Sequence, residues 1–187
     1  MRIFAVSILM VLFSMAAFAM EPLKVPYYKQ QNNRYEPHAT CGITSGAMLV
    51  SYYTGKTVTP DDLYLAYGKP QGTTPEGLAK IYKDYGLYTR STRTGTRAEI
   101  KNHLMNGRVV VVHGWFTSNG HIMAFIGMND KGFVANDPAG IWKGCNRCGY
   151  NAGTIGGRVT YSYSSLSADV LGADGQIWYS VASNSNF

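Results

Sequence analysis

Residues 107–137, GRVVVVHGWFTSNGHIMAFIGMNDKGFVAND, decide the fold. Val109 to Val112 is an unbroken run of valine, which reads as a buried strand. Ile122 to Met128 reads as a second strand and Phe133 to Asn136 as a third. Between them, Asn129-Asp130-Lys131-Gly132 carries the residues of a short hairpin turn. Antiparallel pairing across that turn brings a residue near 121 beside one at about 140. His121 and Asp137 therefore fall at the same open end of the hairpin.

Downstream of this block, Val159 to Tyr163 and Ile177 to Ala182 read as further strands. Residues 138–157 form a Gly-rich loop carrying two cysteines. Upstream the pattern is helical. From Cys41 to Tyr53, Ile43, Ala47, Val50 and Tyr53 recur at helical spacing, which predicts a half-buried helix ended by Gly55. Thr59-Pro60-Asp61-Asp62 has a cap, a first-turn proline and carboxylates at the positive helix end. Thr74-Pro75-Glu76 repeats the device and opens a helix that stops at Gly86. Thr96-Arg97-Ala98-Glu99 is a capping box, and Gly107 closes its helix. Residues 20–40, with Pro22, Pro26 and Pro37, read as an extended lead-in. A helical first half followed by an antiparallel sheet means an α+β fold.

With 187 residues, 45% apolar and 13% aromatic, the chain supports a single folded domain. Disorder, collagen-like repeats and long coiled coils are excluded by composition and by the lack of a heptad. The first nineteen residues stand apart. Met1-Arg2, an apolar run from Ile3 to Phe13 and the small residues of Ala17-Phe18-Ala19 are the parts of a secretory signal peptide cut after Ala19. An uncleaved membrane anchor is the alternative. The expectation is signal peptide 1–19 and one domain 20–187, exported to the periplasm or beyond, with no stable membrane insertion after cleavage. Net charge is +6, but the Lys and Arg residues are scattered, so nucleic acid is not an expected partner. The positive balance favours anionic polymers such as cell walls and acidic lipid surfaces.

Export changes how the cysteines are read. Cys145 and Cys148 are spaced for a small disulfide loop in an oxidising compartment. Free thiols or a redox pair are the alternatives, and a zinc site lacks two further ligands nearby. No metal and no cofactor are expected. Cys41 has no evident partner, and it sits where an irregular segment turns into a helix. There the unpaired N–H groups and helix dipole lower a thiol pKa. Gly42 beside it would let a substrate approach the backbone. A buried structural cysteine is the alternative.

A nucleophilic cysteine needs a base, and the base needs an orienter. His38 lies in the lead-in, and His103 on a helix face expected to be solvated or half-buried. His113 and His121 lie at strand ends, where side chains reach a cleft. Asp137 is placed to accept from the His121 ring and fix its tautomer, unless Asp137-Pro138 is only a turn opener. Trp115, Phe116 and Trp142 belong either to a cleft or to the core.

Several motifs together resemble one family. They are Val25-Pro26-Tyr27-Tyr28-Lys29-Gln30, Cys41-Gly42-Ile43-Thr44-Ser45-Gly46-Ala47-Met48, Gly107 to Val112, His121 to Gly127, and Val134-Ala135-Asn136-Asp137-Pro138. In this order they are similar to papain-like cysteine peptidases of the bacteriocin leader-processing type. The resemblance implies a papain-like fold, with a helix bearing the nucleophile against a sheet bearing His and Asp. Position by position it implies Cys41 as nucleophile, His121 as general base, Asp137 as orienter and Gln30 as oxyanion-hole donor beside the Cys41 N–H. Ile43 stands where the family usually has proline, and the 31–40 insertion leaves Gln31 as a rival to Gln30. Without transporter or ATPase segments in the sequence, a free-standing exported relative is the expectation. Its substrate would be peptidoglycan peptides or extracellular protein, cut through an acyl-thioester. Two other functions fit the same scaffold. One is a non-catalytic binding or toxin-like module using the 138–157 loop, and the other is an acyltransferase.

Overall fold

The valine run becomes the middle of a six-stranded antiparallel sheet in the computed structural model, which describes residues 20–172 and 176–187. The proposed signal segment, residues 1–19, lies outside the described residues. In chain order the elements are α1 (Cys41–Thr54), α2 (Pro60–Gln71), α3 (Pro75–Asp84), β1 (Tyr88–Gly95), α4 (Arg97–Met105), β2 (Val110–Gly114), β3 (His121–Met128), β4 (Gly132–Asn136), β5 (Val159–Ser162), α5 (Ala168–Leu171) and β6 (Ile177–Ser183). The strand order is β1-β6-β2-β3-β4-β5. Helices thus pack on an antiparallel sheet, an α+β fold as expected.

Alternation along the strands builds two cores. On one face Val111, Ile122, Ala124, Ile126 and Val134 meet Ile43, Ala47 and Val50 of α1 and Leu78, Ile81 and Tyr82 of α3. On the other, Val110, Val112, Met123, Phe125 and Phe133 meet Ile100 and Leu104 of α4 and Val170 and Leu171 of α5. Burying each such side chain contributes roughly 1.5–3 kcal/mol of transfer free energy. A sheet covered on both faces explains why β2, β3 and β4 read as continuous apolar runs.

The helix starts follow the capping rules. Thr59 and Asp62, and Thr96 and Glu99, form reciprocal capping boxes, and the Thr74 hydroxyl accepts from Gly77 N–H. Gly55 ends α1 in the left-handed conformation.

Three expectations need correcting. The first half is not purely helical, because β1 lies in it. Its sequence, YTRSTRTG, is exposed along most of its length, and the strand forms through its ladder with β6 at the sheet edge. Second, α1 is not half-buried: Gly42 through Ser51 are all buried. Its polar groups find local partners, with Thr44 Oγ1 donating to Thr40 O and Ser51 Oγ to Val58 O. Third, His103 is buried, its Nε2 facing the Tyr179 hydroxyl at 3.3 Å and its ring edge-on to Phe187. The lead-in also gains order: Leu23 N–H donates to Ile126 O, and Gln30–Asn32 form one 3-10 turn. Among the described residues, no helix is long and apolar enough to cross a membrane.

Candidate active site

The first residue of α1 and the first residue of β3 meet at one end of the sheet. Ser45, one turn along from Cys41, donates its hydroxyl to Ile122 O at 3.2 Å and so ties the start of α1 to the start of β3. The Cys41 thiol lies beside the His121 ring, near enough for each to shift the other's ionisation. Across the β3–β4 ladder, Ala124 pairs with Asn136, which leaves Asp137 just past the last rung. From there its Oδ1 accepts from His121 Nε2 at 2.9 Å. With Nε2 so engaged, Nδ1 is the ring nitrogen available to the thiol.

Asp137 has no exposed surface, and its carboxylate is well supplied with donors. Ala139 N–H donates to Oδ1 at 3.0 Å, and the Tyr161 hydroxyl donates to Oδ2 at 2.9 Å. Tyr27 donates to the Asp137 carbonyl. The sequence carries no signal for these tyrosines, since nothing in their spacing links positions 27 and 161 to 137. The hairpin turn is as expected, with Asn129 Oδ1 accepting from the Lys131 and Gly132 amides.

The charges follow from this arrangement. Burial pushes the Cys41 thiol up, but the His121 charge and hydrogen bond, with the Ile122 and Gly42 amides, hold it below its ordinary value. Burial likewise opposes protonation of His121. The Asp137 and Cys41 charges outweigh it and hold the imidazole above its ordinary value. The pair is therefore biased toward thiolate and imidazolium.

Gly42 has a different role from the one expected. A Cβ there would lie 1.8 Å from the Gly72 carbonyl oxygen, so what it admits is the α2–α3 connection rather than substrate. Gln30 and Gln31 separate clearly. Gln30 is 5% exposed, with Nε2 donating to Pro37 O, while its Oε1 is buried without a partner. Its backbone N–H donates to Pro138 O, which anchors it beside the Asp137 turn. Gln31 is exposed and donates to Ala139 O.

Gln30, Gln31, Cys41 and His121 line a cleft of about 930 Å³ that also takes in His38, His113, Trp115, Tyr150 and Trp178. Trp115 is 40% exposed, whereas Phe116 and Trp142 belong to the core. Cys145 and Cys148 are joined as a disulfide, leaving Cys41 free. His113 sits one strand away from His121 with its buried Nε2 unpartnered among the described residues, and burial pushes its pKa down to about 4. Among the described residues, no three His, Cys, Asp or Glu side chains gather as a metal site.

Comparison with solved structures places the fold. A structure described as a C39-like peptidase from Bacillus anthracis superposes with a TM-score of 0.58 at 14% identity, covering 90% of this chain and 98% of that one. A double glycine motif protease from an AMS/PCAT transporter, in complex with the leader peptide, superposes with a TM-score of 0.59 at 19% identity, covering 89% of this chain and 96% of that one. No curated protein matches the sequence. The Peptidase_C39 like family matches residues 22–166, which span Gln30, Cys41, His121 and Asp137. A match over most of its length, on this fold, means that the chain belongs to the Peptidase_C39-like family.

Proposed function

We propose that the protein is an exported cysteine peptidase that cleaves peptide or amide bonds with Cys41 as nucleophile, His121 as general acid and base, and Asp137 as orienter. The observation that carries this is the Cys41–His121 pair lining the cleft, with Asp137 buried behind it on His121 Nε2. The Cys41 thiolate attacks the substrate carbonyl carbon. The oxyanion is met by the Cys41 backbone N–H and by the second Nε2 hydrogen of Gln30, the first being held by Pro37. Such a donor is worth about 3 kcal/mol in the transition state. His121 then passes its proton to the departing amine, leaving an acyl-thioester on Cys41. Water attacks that ester as His121 takes its proton, and the acid product leaves with the thiolate restored.

A peptide substrate is supported by the leader peptide bound to the double glycine motif protease. Cell-wall peptides fit the chain's positive charge, and extracellular protein is the second class to screen. Export rests on the character of residues 1–19.

The test is the rate of Cys41 alkylation between about pH 4 and 9 in wild type and His121→Ala. Rapid labelling below pH 7 that His121→Ala abolishes is the expected result, followed by a screen of peptides and wall fragments for cleavage. Labelling that rises only near the free-thiol pKa of about 8.5 in both proteins would refute the assignment.

A further inference from the structure

The loop between β4 and β5 is glycine-rich, yet one part of it is tightly held. Cys148 N–H donates to Cys145 O and Lys143 N–H to Gly149 O, and the Cys145–Cys148 disulfide closes the turn. Gly144 and Gly149 flank that turn at φ of 82° and 73°, where other residues would be strained. The turn lies against the β2–β3 connection. Arg147 N–H donates to Trp115 O at 2.7 Å, Gly149 N–H donates to Phe116 O at 3.0 Å, and Cys148 bridges Thr117. The Arg147 guanidinium stands over the Trp115 ring.

Tyr150 leaves this turn directly. It forms a bridge with the buried Trp142, whose indole N–H donates to Cys145 O. Its ring meets the His121 ring edge-on, with centroids 5.0 Å apart and planes at 63°. Its hydroxyl is buried near the Asp137 carboxylate but makes no hydrogen bond of ordinary geometry with it. Burial and the Asp137 charge push the phenol up, so it is neutral throughout the working range.

We propose that Tyr150 is a positioning residue for the His121–Asp137 pair and that the Cys145–Cys148 disulfide holds it there. The proposal rests on the catalytic assignment above. An imidazole whose two nitrogens serve different partners must keep its plane fixed; the Phe116 ring meets it at 6.2 Å, and the Tyr150 ring, at 5.0 Å, is the nearer restraint. Tyr150 itself belongs to no regular strand, so its position depends on the stapled turn. Reduction of that bond to two thiols, with an external dithiol oxidised to its own disulfide, removes the staple and leaves the Cys41, His121 and Asp137 side chains unaltered.

The titratable groups around His121 are Cys41 from α1, His113 from β2, Asp137 after β4, and Tyr150 and Tyr161 beside that carboxylate. The net effect of Cys41 and Asp137 is to favour the imidazolium, so water entering in place of the Tyr150 ring screens it back toward ordinary behaviour.

The experiment measures Cys41 alkylation by iodoacetamide, without reductant, from about pH 5 to 9. The proteins are wild type, Tyr150→Phe, Tyr150→Ala, the Cys145→Ser/Cys148→Ser pair, and the triple variant. At about pH 6 the expected rates are within about twofold of wild type for Tyr150→Phe, about tenfold lower for Tyr150→Ala and several-fold lower for the serine pair. The triple variant should be no slower than Tyr150→Ala, and all should converge at about pH 9. A Tyr150→Ala profile identical to wild type, or serine and alanine effects that multiply, would overturn the proposal. If Tyr150→Ala lowers thermal stability too far, Tyr150→Leu keeps the bulk without the ring edge and is held to the same outcomes. A wild-type profile with no low-pH limb would instead remove the thiolate–imidazolium pair on which the proposal rests.

Discussion

His113 and His121 sit on neighbouring strands, line the same cleft and are similarly buried, at 8% and 6% exposure, yet their surroundings drive them toward opposite charge states. His121 opens β3 with Asp137 on one nitrogen and Cys41 beside the other, and it is driven toward imidazolium. His113, near the end of β2, has a buried Nε2 with no partner among the described residues, and burial drives it toward the neutral form. Burial alone neutralises a histidine; burial with a buried carboxylate charges it. What separates the two is the turn after β4 that delivers Asp137, together with the tyrosine and amide that hold that carboxylate in place.

The sharpest way to break the contrast is to remove each ring in turn. His121→Ala should lower peptide turnover by about 10⁴-fold or more. His113→Gln should leave the low-pH limb of Cys41 alkylation in place, since the proposed mechanism routes no step through it. A comparable loss from His113→Gln would overturn the assignment of roles.

The second contrast lies in stability against pH. A histidine pushed down to about 4 when folded binds its proton more readily unfolded. Its contribution to stability is therefore present above about pH 6.5 and is lost as pH falls toward about 4, a change of about 3 kcal/mol. His113→Gln should flatten this acid limb in denaturant titrations, and a limb of unchanged depth would assign it to other groups. For His121 the sign reverses: its pairing contributes stability below the ordinary histidine pKa, and that contribution is lost as pH rises through the raised folded value.

Asp137→Asn should move the surroundings of His121 toward those of His113. The imidazolium loses its carboxylate, and alkylation of Cys41 at about pH 6 should slow by about tenfold or more. The smallest effect is expected from Tyr161→Phe. It deletes the donor to Asp137 Oδ2 and the acceptor of the buried Trp142 N–H, and a loss of about 1 kcal/mol at the carboxylate should appear as a several-fold slower turnover. A turnover equal to wild type would mean that this donor does not help to hold the carboxylate.

Much of the fold is legible in the sequence because its causes are local. The Thr59 and Thr96 capping boxes, the Gly55 stop, the buried valine strand and the Asn129 turn each depend on neighbours a few residues away. Cys41, His121 and Asp137 can be named as candidates, and the hairpin arithmetic puts the last two at one end. The same arithmetic cannot supply what lies around them. β1 has no apolar alternation because both its faces are largely open, and it is a strand only through its ladder with β6. Tyr150 and Tyr161 reach the site from a loop and from the sheet's far strand. Their arrival depends on the complete tertiary path, as does the Gly72 carbonyl that fills the space beside Gly42.

The strand order has a consequence for synthesis. β6, which follows every other strand in chain order, lies between β1 and β2, two strands made long before it. A growing polypeptide can pair β2, β3 and β4 by short connections, bringing His121 beside Asp137 early. Until β6 emerges, however, β1 and β2 each present an open edge, the kind of surface that invites mispairing with another chain. β6 therefore acts as a zipper: a chain shortened before residue 177 would retain Cys41, His121 and Asp137 yet lack the strand that joins the two parts of the sheet.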